Sequence, residues 1–156
     1  MDWVARLVYG ALVWEEKRRA RAARRGGQAD GSDAKQHHLK VGARGEKLAY
    51  WHLRRAGYAI VARNRRPHSG SGELDLVGWD GPVLAFIEVK TRSGTEAGLP
   101  ESAVSFEQQR RIVKSAQEYM RRLKRKPAAY RFDIASVLWD PAEGYQVCVL
   151  KDAFKE

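Results

Sequence analysis

A single α/β domain built on one central mixed sheet is the fold the sequence predicts, on three observations. Two stretches in the body of the chain repeat their apolar residues at helical spacing, five short runs are apolar or alternating in the manner of strands, and turn signals such as "DGP" and "DPAEG" separate them. A chain of 156 residues is also long enough for one core of ordinary size and short for two.

Residues 1–36 read as an appendage to that domain. Trp3, Val4, Leu7, Val8, Ala11, Leu12 and Trp14 recur at helical spacing ahead of the charged run "EEKRRARAARR", and the polar, glycine-bearing "GGQADGSDAKQ" reads as a linker. The expectation is a helical extension that is loosely attached or packs on a neighbour, with contact at a membrane surface as the sharper alternative. Trp3 to Trp14 includes Arg6 and falls well short of the roughly 20 residues a bilayer crossing needs. A basic start and a small-residue cleavage site are missing too, so the segment does not read as a secretory signal.

The domain proper is expected over residues 37–156. Ala43 to Ala56 predicts a helix with Ala49, Leu53 and Ala56 on one stripe and Gly57 ending it in a left-handed conformation. "YAIVARN" is a short strand and "RRPHSGSG" a loop. Leu74 to Trp79 and Val83 to Thr91 are strands joined across "DGP", and Arg92 to Val104 is a long loop. Ser105 starts a second helix, because "SFEQ" has the spacing of a capping box. Phe106, Gln109, Val113, Ala116, Met120 and Leu123 form its expected buried stripe, and Pro127 closes it. "YRFDIASVLW" and "YQVCVL" complete the order α, β, β, β, α, β, β. The single cysteine, Cys148, excludes an internal disulfide and any CxxC metal site; its alternating run reads as a small buried side chain. A cytoplasmic protein is expected.

The formal net charge of +10 favours polyanionic partners, nucleic acid before anionic membrane. That charge is zoned: residues 37–66 carry +7 and 109–131 carry +8, whereas 67–108 carry −5. Two basic walls around an acidic centre suit a phosphate backbone lying on the walls and divalent cations in the centre. Arg44, Arg65, Arg66, Arg92, Arg110 and Lys114 are the candidate nucleic-acid contacts. The cluster Arg121, Arg122, Lys124, Arg125 and Lys126 reads equally as the solvated end of a helix.

Within the centre, Asp75 and Glu88 interrupt apolar, strand-like runs. Alternation projects Glu88 and Lys90 to one side. A two-residue loop at Asp80 and Gly81 sets Asp75 opposite Phe86, diagonal to Glu88; a four-residue loop sets it opposite Glu88. Both even parities put Asp75, Glu88 and Lys90 on one face, and an odd loop without a bulge separates them. Two carboxylates so close repel, and magnesium, which takes carboxylate and phosphate oxygens, removes that conflict. The Val89 carbonyl could add an oxygen, and Lys90 could orient a water or steady charge on a phosphate. The plainer alternative is two surface pairs, Asp75 with Lys90 and Glu88 with Arg92.

"GELD" followed by "EVK" resembles the PD-(D/E)xK nuclease superfamily, the restriction-endonuclease-like fold. More closely, "GARGEKLAYWHLRRAGYAIVARNRRP", "GELDLVGWD", "FIEVKTR" and "RFDIA" resemble the bacterial YraN family of small proteins with that fold, from about Val41 to the C-terminus. The resemblance implies an αβββαβ core with helices flanking the sheet. It implies a metal-dependent phosphodiesterase centre in which Glu46, Asp75 and Glu88 gather around Mg2+ or Mn2+, with Lys90 at the attacking water. Helical spacing aligns Glu46 with Ala49 and Leu53, in keeping with an inward position. Glu73 departs from the usual proline before the aspartate, and Gln108 and Gln109 lie near where related nucleases place a helical glutamine, although "QEYM" does not reproduce their Q-x-x-x-Y pattern. The expected function is DNA binding, branched or damaged DNA included, with phosphodiester hydrolysis. The alternatives are a binding module that keeps the fold without turnover and a membrane-proximal scaffold resting on Met1 to Arg25. A homodimer paired through the N-terminal helix is a further expectation.

Overall fold

A computed structural model describes residues 3–23, 32–67, 70, 72–93, 104–140 and 144–156. The loop expected at 65–72, most of that expected at 92–104, the turn "DPAEG" and the first part of the linker fall wholly or partly outside these residues. The elements are α1 (Trp3–Ala23), α2 (Ser32–Arg55), β1 (Ala59–Arg65), β2 (Leu74–Asp80), β3 (Val83–Ser93), α3 (Phe106–Arg121), β4 (Ala129–Asp140) and β5 (Gly144–Phe154). From α2 onward the order is the expected one. The five strands form one sheet in the order β1-β2-β3-β4-β5. Only β3 and β4 run parallel, and α3 lies between them in the chain as the crossover.

Two hydrophobic clusters lie on the two faces of that sheet. Leu48, Ala49 and Leu53 of α2 pack with Leu76, Ile87 and Val137 on one face; Ile112 and Ala116 of α3 pack with Val77, Phe86 and Phe132 on the other. Central strands buried on both sides need continuous apolar runs, and Leu84, Ala85, Phe86 and Ile87 are all buried. Helix α1 adds Tyr9, Leu12 and Val13 to the first cluster, contacting α2 and β5. Its opposite side leaves Trp3, Leu7 and Trp14 exposed. Among the described residues no helix is long and apolar enough to cross a membrane.

Local signals explain the element ends. Gly57, at φ 100°, closes α2 with its own N–H on the Arg54 carbonyl and the Tyr58 N–H on the Leu53 carbonyl, a Schellman pair. The β2–β3 turn is Gly81–Pro82, with Gly81 at φ 58° and Asp80 paired with Val83. That matches the glycine-first hairpin turn suited to strand twist.

Five expectations are corrected. Helix α2 starts at Ser32, within the stretch read as linker, and runs through positions 36 and 37. Phe106, placed on the buried stripe of the second helix, is 75% exposed, because the face turned to the sheet is that of Ile112, Ser115 and Ala116. That helix ends at Arg121 rather than at Pro127, and Ala56 is exposed beyond the end of α2. Cys148 is exposed: β5 is an edge strand whose alternation turns Tyr145, Val147 and Val149 toward the first cluster, leaving Gln146 and Cys148 to the other face.

Candidate functional site

The hairpin register decides whether the strand acids meet. Trp79 pairs with Leu84 and Leu76 with Ile87, so the next position sets Asp75 across from Glu88. This is the second of the two even registers, reached with only Gly81 and Pro82 unpaired. Asp75 shares its side of the strand with Val77, and Glu88 with Phe86, both members of the α3-facing cluster. The two acids therefore open under the N-terminal turn of α3, where a pocket of ≈ 430 Å³ is lined by Gly72, Glu73, Asp75, Glu88, Gln108 and Arg111 among others.

Each carboxylate is held. The Val89 N–H donates to Asp75 Oδ2 at 2.8 Å, so the backbone group engaged here is the amide rather than the carbonyl. Glu88, 7% exposed, accepts from Gln108 Nε2 at 2.6 Å, and Lys90 Nζ lies 2.9 Å from the same Oε1. The lysine therefore pairs with the glutamate of its own strand, not with Asp75. Burial first, and then the Glu88 charge, push the Asp75 carboxyl up to about 7; the Val89 N–H and Lys90 oppose the shift, and Glu46 adds to it.

Glu46 reaches this region from the opposite face of the sheet. Gly45 lets α2 come down on β3: a Cβ on Gly45 would stand 1.7 Å from Thr91 Oγ1 and 2.9 Å from Thr91 Cβ. The following residue, Glu46, then accepts from Asn64 Nδ2 at 2.8 Å. Asn64 sits on β1 at φ 46°, a left-handed conformation that asparagine tolerates better than most residues. Glu46 thus acts on Asp75 electrostatically but does not line the pocket. Among the described residues, no three His, Cys, Asp or Glu side chains stand in a metal-holding group; Glu88 is engaged by Lys90 and Gln108, and Glu46 by Asn64. The donor chemistry nonetheless suits a hard divalent cation, which relieves two facing carboxylates of which one resists ionisation near neutral pH.

The expected nucleic-acid contacts divide by location. Arg65 and Arg66 line a second pocket with Tyr119, Arg122 and Leu123, and Arg66 also pairs with Glu73 at 2.9 Å. Arg44 and Arg92 are half-buried, each next in sequence to the Gly45–Thr91 contact. Arg110 and Lys114 are exposed on α3 and line neither pocket. Arg111, one residue on, is the arginine at the acids. Sequence reasoning missed Arg111 and Asn64 and undervalued Gln108. For Gln108 and Arg111, the signal was the three-to-four spacing that runs on to Ile112 and Ser115.

The family model described as "Uncharacterised protein family UPF0102" matches residues 45–137, which include Glu46, Asp75, Glu88, Lys90, Gln108 and Arg111 and leave Arg44 just outside. A UPF0102 protein of Solibacter usitatus is 53% identical over 94 residues, 60% of this chain and 71% of that relative. Another, of Koribacter versatilis, is 43% identical over 117 residues, covering 75% and 80%. A third, of Rhodococcus opacus, is 42% identical over 118 residues, covering 76% and 98%.

Proposed function

We propose that this chain, which belongs to the uncharacterised protein family UPF0102, binds DNA and hydrolyses its phosphodiester bonds with the aid of magnesium or manganese. The observation that carries the reading is the face-to-face placement of Asp75 and Glu88, with Lys90 Nζ 2.9 Å from Glu88. The flanking helix and sheet order accord with the restriction-endonuclease-like resemblance.

In this reading Asp75 and Glu88 would hold the cation, while Glu46, expected from the resemblance as a third ligand, is held by Asn64 outside the pocket and acts on Asp75 through its charge. Bound there, the ion supplies Lewis acidity toward the scissile phosphate and cancels the repulsion of the acids. The chain's own groups do the positioning. Val89 N–H fixes Asp75, and Gln108 and Lys90 together fix Glu88 through Oε1. The Lys90 ammonium, on the pocket side of β3, orients a water toward phosphorus and steadies negative charge as it develops. Arg111 at the pocket wall draws in the strand.

Cleavage of single-stranded, duplex and four-way-junction DNA with Mg2+ or Mn2+ tests the proposal. Wild type is expected to cut at least one of them, and Asp75→Ala and Lys90→Ala to lose that activity by about a hundredfold or more. Activity surviving both substitutions refutes the site. A second reading, a DNA-binding module without turnover, is favoured by one observation, the engagement of Glu46 by Asn64 away from the pocket. Calorimetric titration with manganese separates the two, since only the hydrolase requires the ion between Asp75 and Glu88.

A further inference from the structure

Beside the acidic pocket, α3 and the end of β1 enclose a second cavity of ≈ 210 Å³ lined by Arg65, Arg66, Pro67, Glu118, Tyr119, Arg122 and Leu123. Its chemistry is mixed in a particular way. Three guanidinium groups stand against one carboxylate, Glu118, which pairs with Arg122 at 2.9 Å; the lining keeps a net charge of +2. Pro67, Tyr119 and Leu123 supply apolar wall, and Tyr119 meets the Phe86 ring edge-on with centroids 5.9 Å apart, which anchors it in the core. A pocket for a small free anion has no use for an aromatic and aliphatic wall. A pocket for an apolar ligand has no use for three arginines.

The two pockets are neighbours. Glu73 lines the acidic one and pairs with Arg66 of the other. Along α3, Arg111 lines the first and Glu118 the second, seven residues apart, or about 10 Å at the helical rise. That is about three steps of nucleic-acid rise along one strand.

Resting on the function proposed above, we infer that this cavity takes an unpaired nucleotide of the bound strand, about three positions from the scissile phosphate. Arg65, Arg66 and Arg122 hold its phosphate, and Tyr119 with Pro67 and Leu123 receives its base. A fully paired duplex keeps its bases stacked inside and cannot fill the apolar wall. The site therefore selects DNA with an extrahelical or single-stranded nucleotide beside the cut.

The test reads binding rather than cleavage. Fluorescein-labelled 20-base-pair DNA, fully paired or carrying a single unpaired nucleotide, is titrated with the full chain in chelator and followed by anisotropy. Wild type is expected to bind the DNA with the unpaired nucleotide roughly tenfold more tightly, the scale of one base–aromatic contact. Joint Arg65→Ala and Arg122→Ala substitution is expected to erase that preference. Lys155→Ala, which removes an exposed charge at the end of the chain, leaves it intact. Salt-dependent binding of both DNAs by wild type with equal affinity overturns this inference alone, as does a preference that survives the double substitution. Failure to bind either DNA overturns the proposed function with it.

Discussion

Asp75 is under two opposed demands: its place on the face shared with Glu88 requires burial, and burial resists its charge. Its carboxyl, raised from 3.8 to about 7, binds a proton in the folded state that the unfolded chain releases near pH 4. The sign follows. Between those values the folded state holds more protons, so stability falls as pH rises from about 4 to 7 and is level above. Asp75→Asn keeps the acceptor for Val89 N–H and removes the titration. In chelator it is expected to be more stable than wild type at pH 8, on the order of a few kcal/mol, with the difference shrinking by pH 5. Urea unfolding at both pH values checks this, and an equal difference at both would contradict it. Gly45 tests the other approach to the site. Alanine there gains about 1 kcal/mol of helix propensity but meets Thr91 Oγ1 and Cβ at 1.7 and 2.9 Å. Overpacking of that kind costs about 1–3 kcal/mol, so Gly45→Ala is expected to lower the unfolding midpoint. Adding Thr91→Ala should recover part of the loss, and a double-mutant cycle reads the coupling. Asp75, Glu88 and Lys90 were legible because strand alternation and hairpin parity are local rules. Asn64 was not. Its role depends on β1 passing beside α2, a tertiary contact that no spacing of residues encodes.

Helix α3 shows the same division at the level of an element. "SFEQ" announces its start correctly: the Ser105 side chain accepts from the Gln108 N–H at 3.3 Å. A capping box, however, sends the glutamine side chain back to the cap N–H, and Gln108 sends it across to Glu88 at 2.6 Å instead. The sequence offers both partners to that side chain, and only the docking of α3 over β2 and β3 selects one. The same docking rotates the buried face to Ile112, Ser115 and Ala116. A stripe counted from Phe106 missed it, because the first turn overhangs the pocket and leaves Phe106 in solvent. If Gln108 serves to orient Glu88, its effect belongs to ion binding more than to folding. Gln108→Ala is expected to weaken manganese binding about 10- to 100-fold while changing unfolding free energy by no more than about 1 kcal/mol. Calorimetric titration and urea unfolding on the same preparation separate the two. Unchanged manganese affinity would make the glutamine a structural residue only.

At the scale of the whole molecule, charge also works away from both pockets. Asp133, fully buried, accepts from Arg131 Nε at 2.9 Å, from Tyr58 Oη at 3.3 Å and from the Asp152 N–H at 2.9 Å. Arg131 also reaches Asp80 at 2.6 Å, which Lys151 shares at 2.6 Å. Two acids and two bases thereby join the end of β2, the start of β4, β5 and the segment after α2. The joint also accounts for the irregular β4–β5 register between Phe132 and Ile134, because Asp152, at φ 56°, turns its N–H inward to Asp133. In a low-dielectric interior such a network is stabilising only while complete; removing one member strands the others. Asp133→Ala leaves Arg131, whose side chain is 15% exposed, with only Asp80 and the Tyr58 hydroxyl oxygen as acceptors, and takes their acceptor from the Tyr58 O–H and the Asp152 amide. The expected loss is about 3–5 kcal/mol, seen as a lower urea midpoint with little change in slope. The acidic pocket draws on none of these groups, so manganese affinity of the folded fraction should match wild type. A variant that keeps wild-type stability would show that the strands hold this end of the sheet without the ion network. One that keeps stability but loses the metal would place Asp133 in the functional site instead.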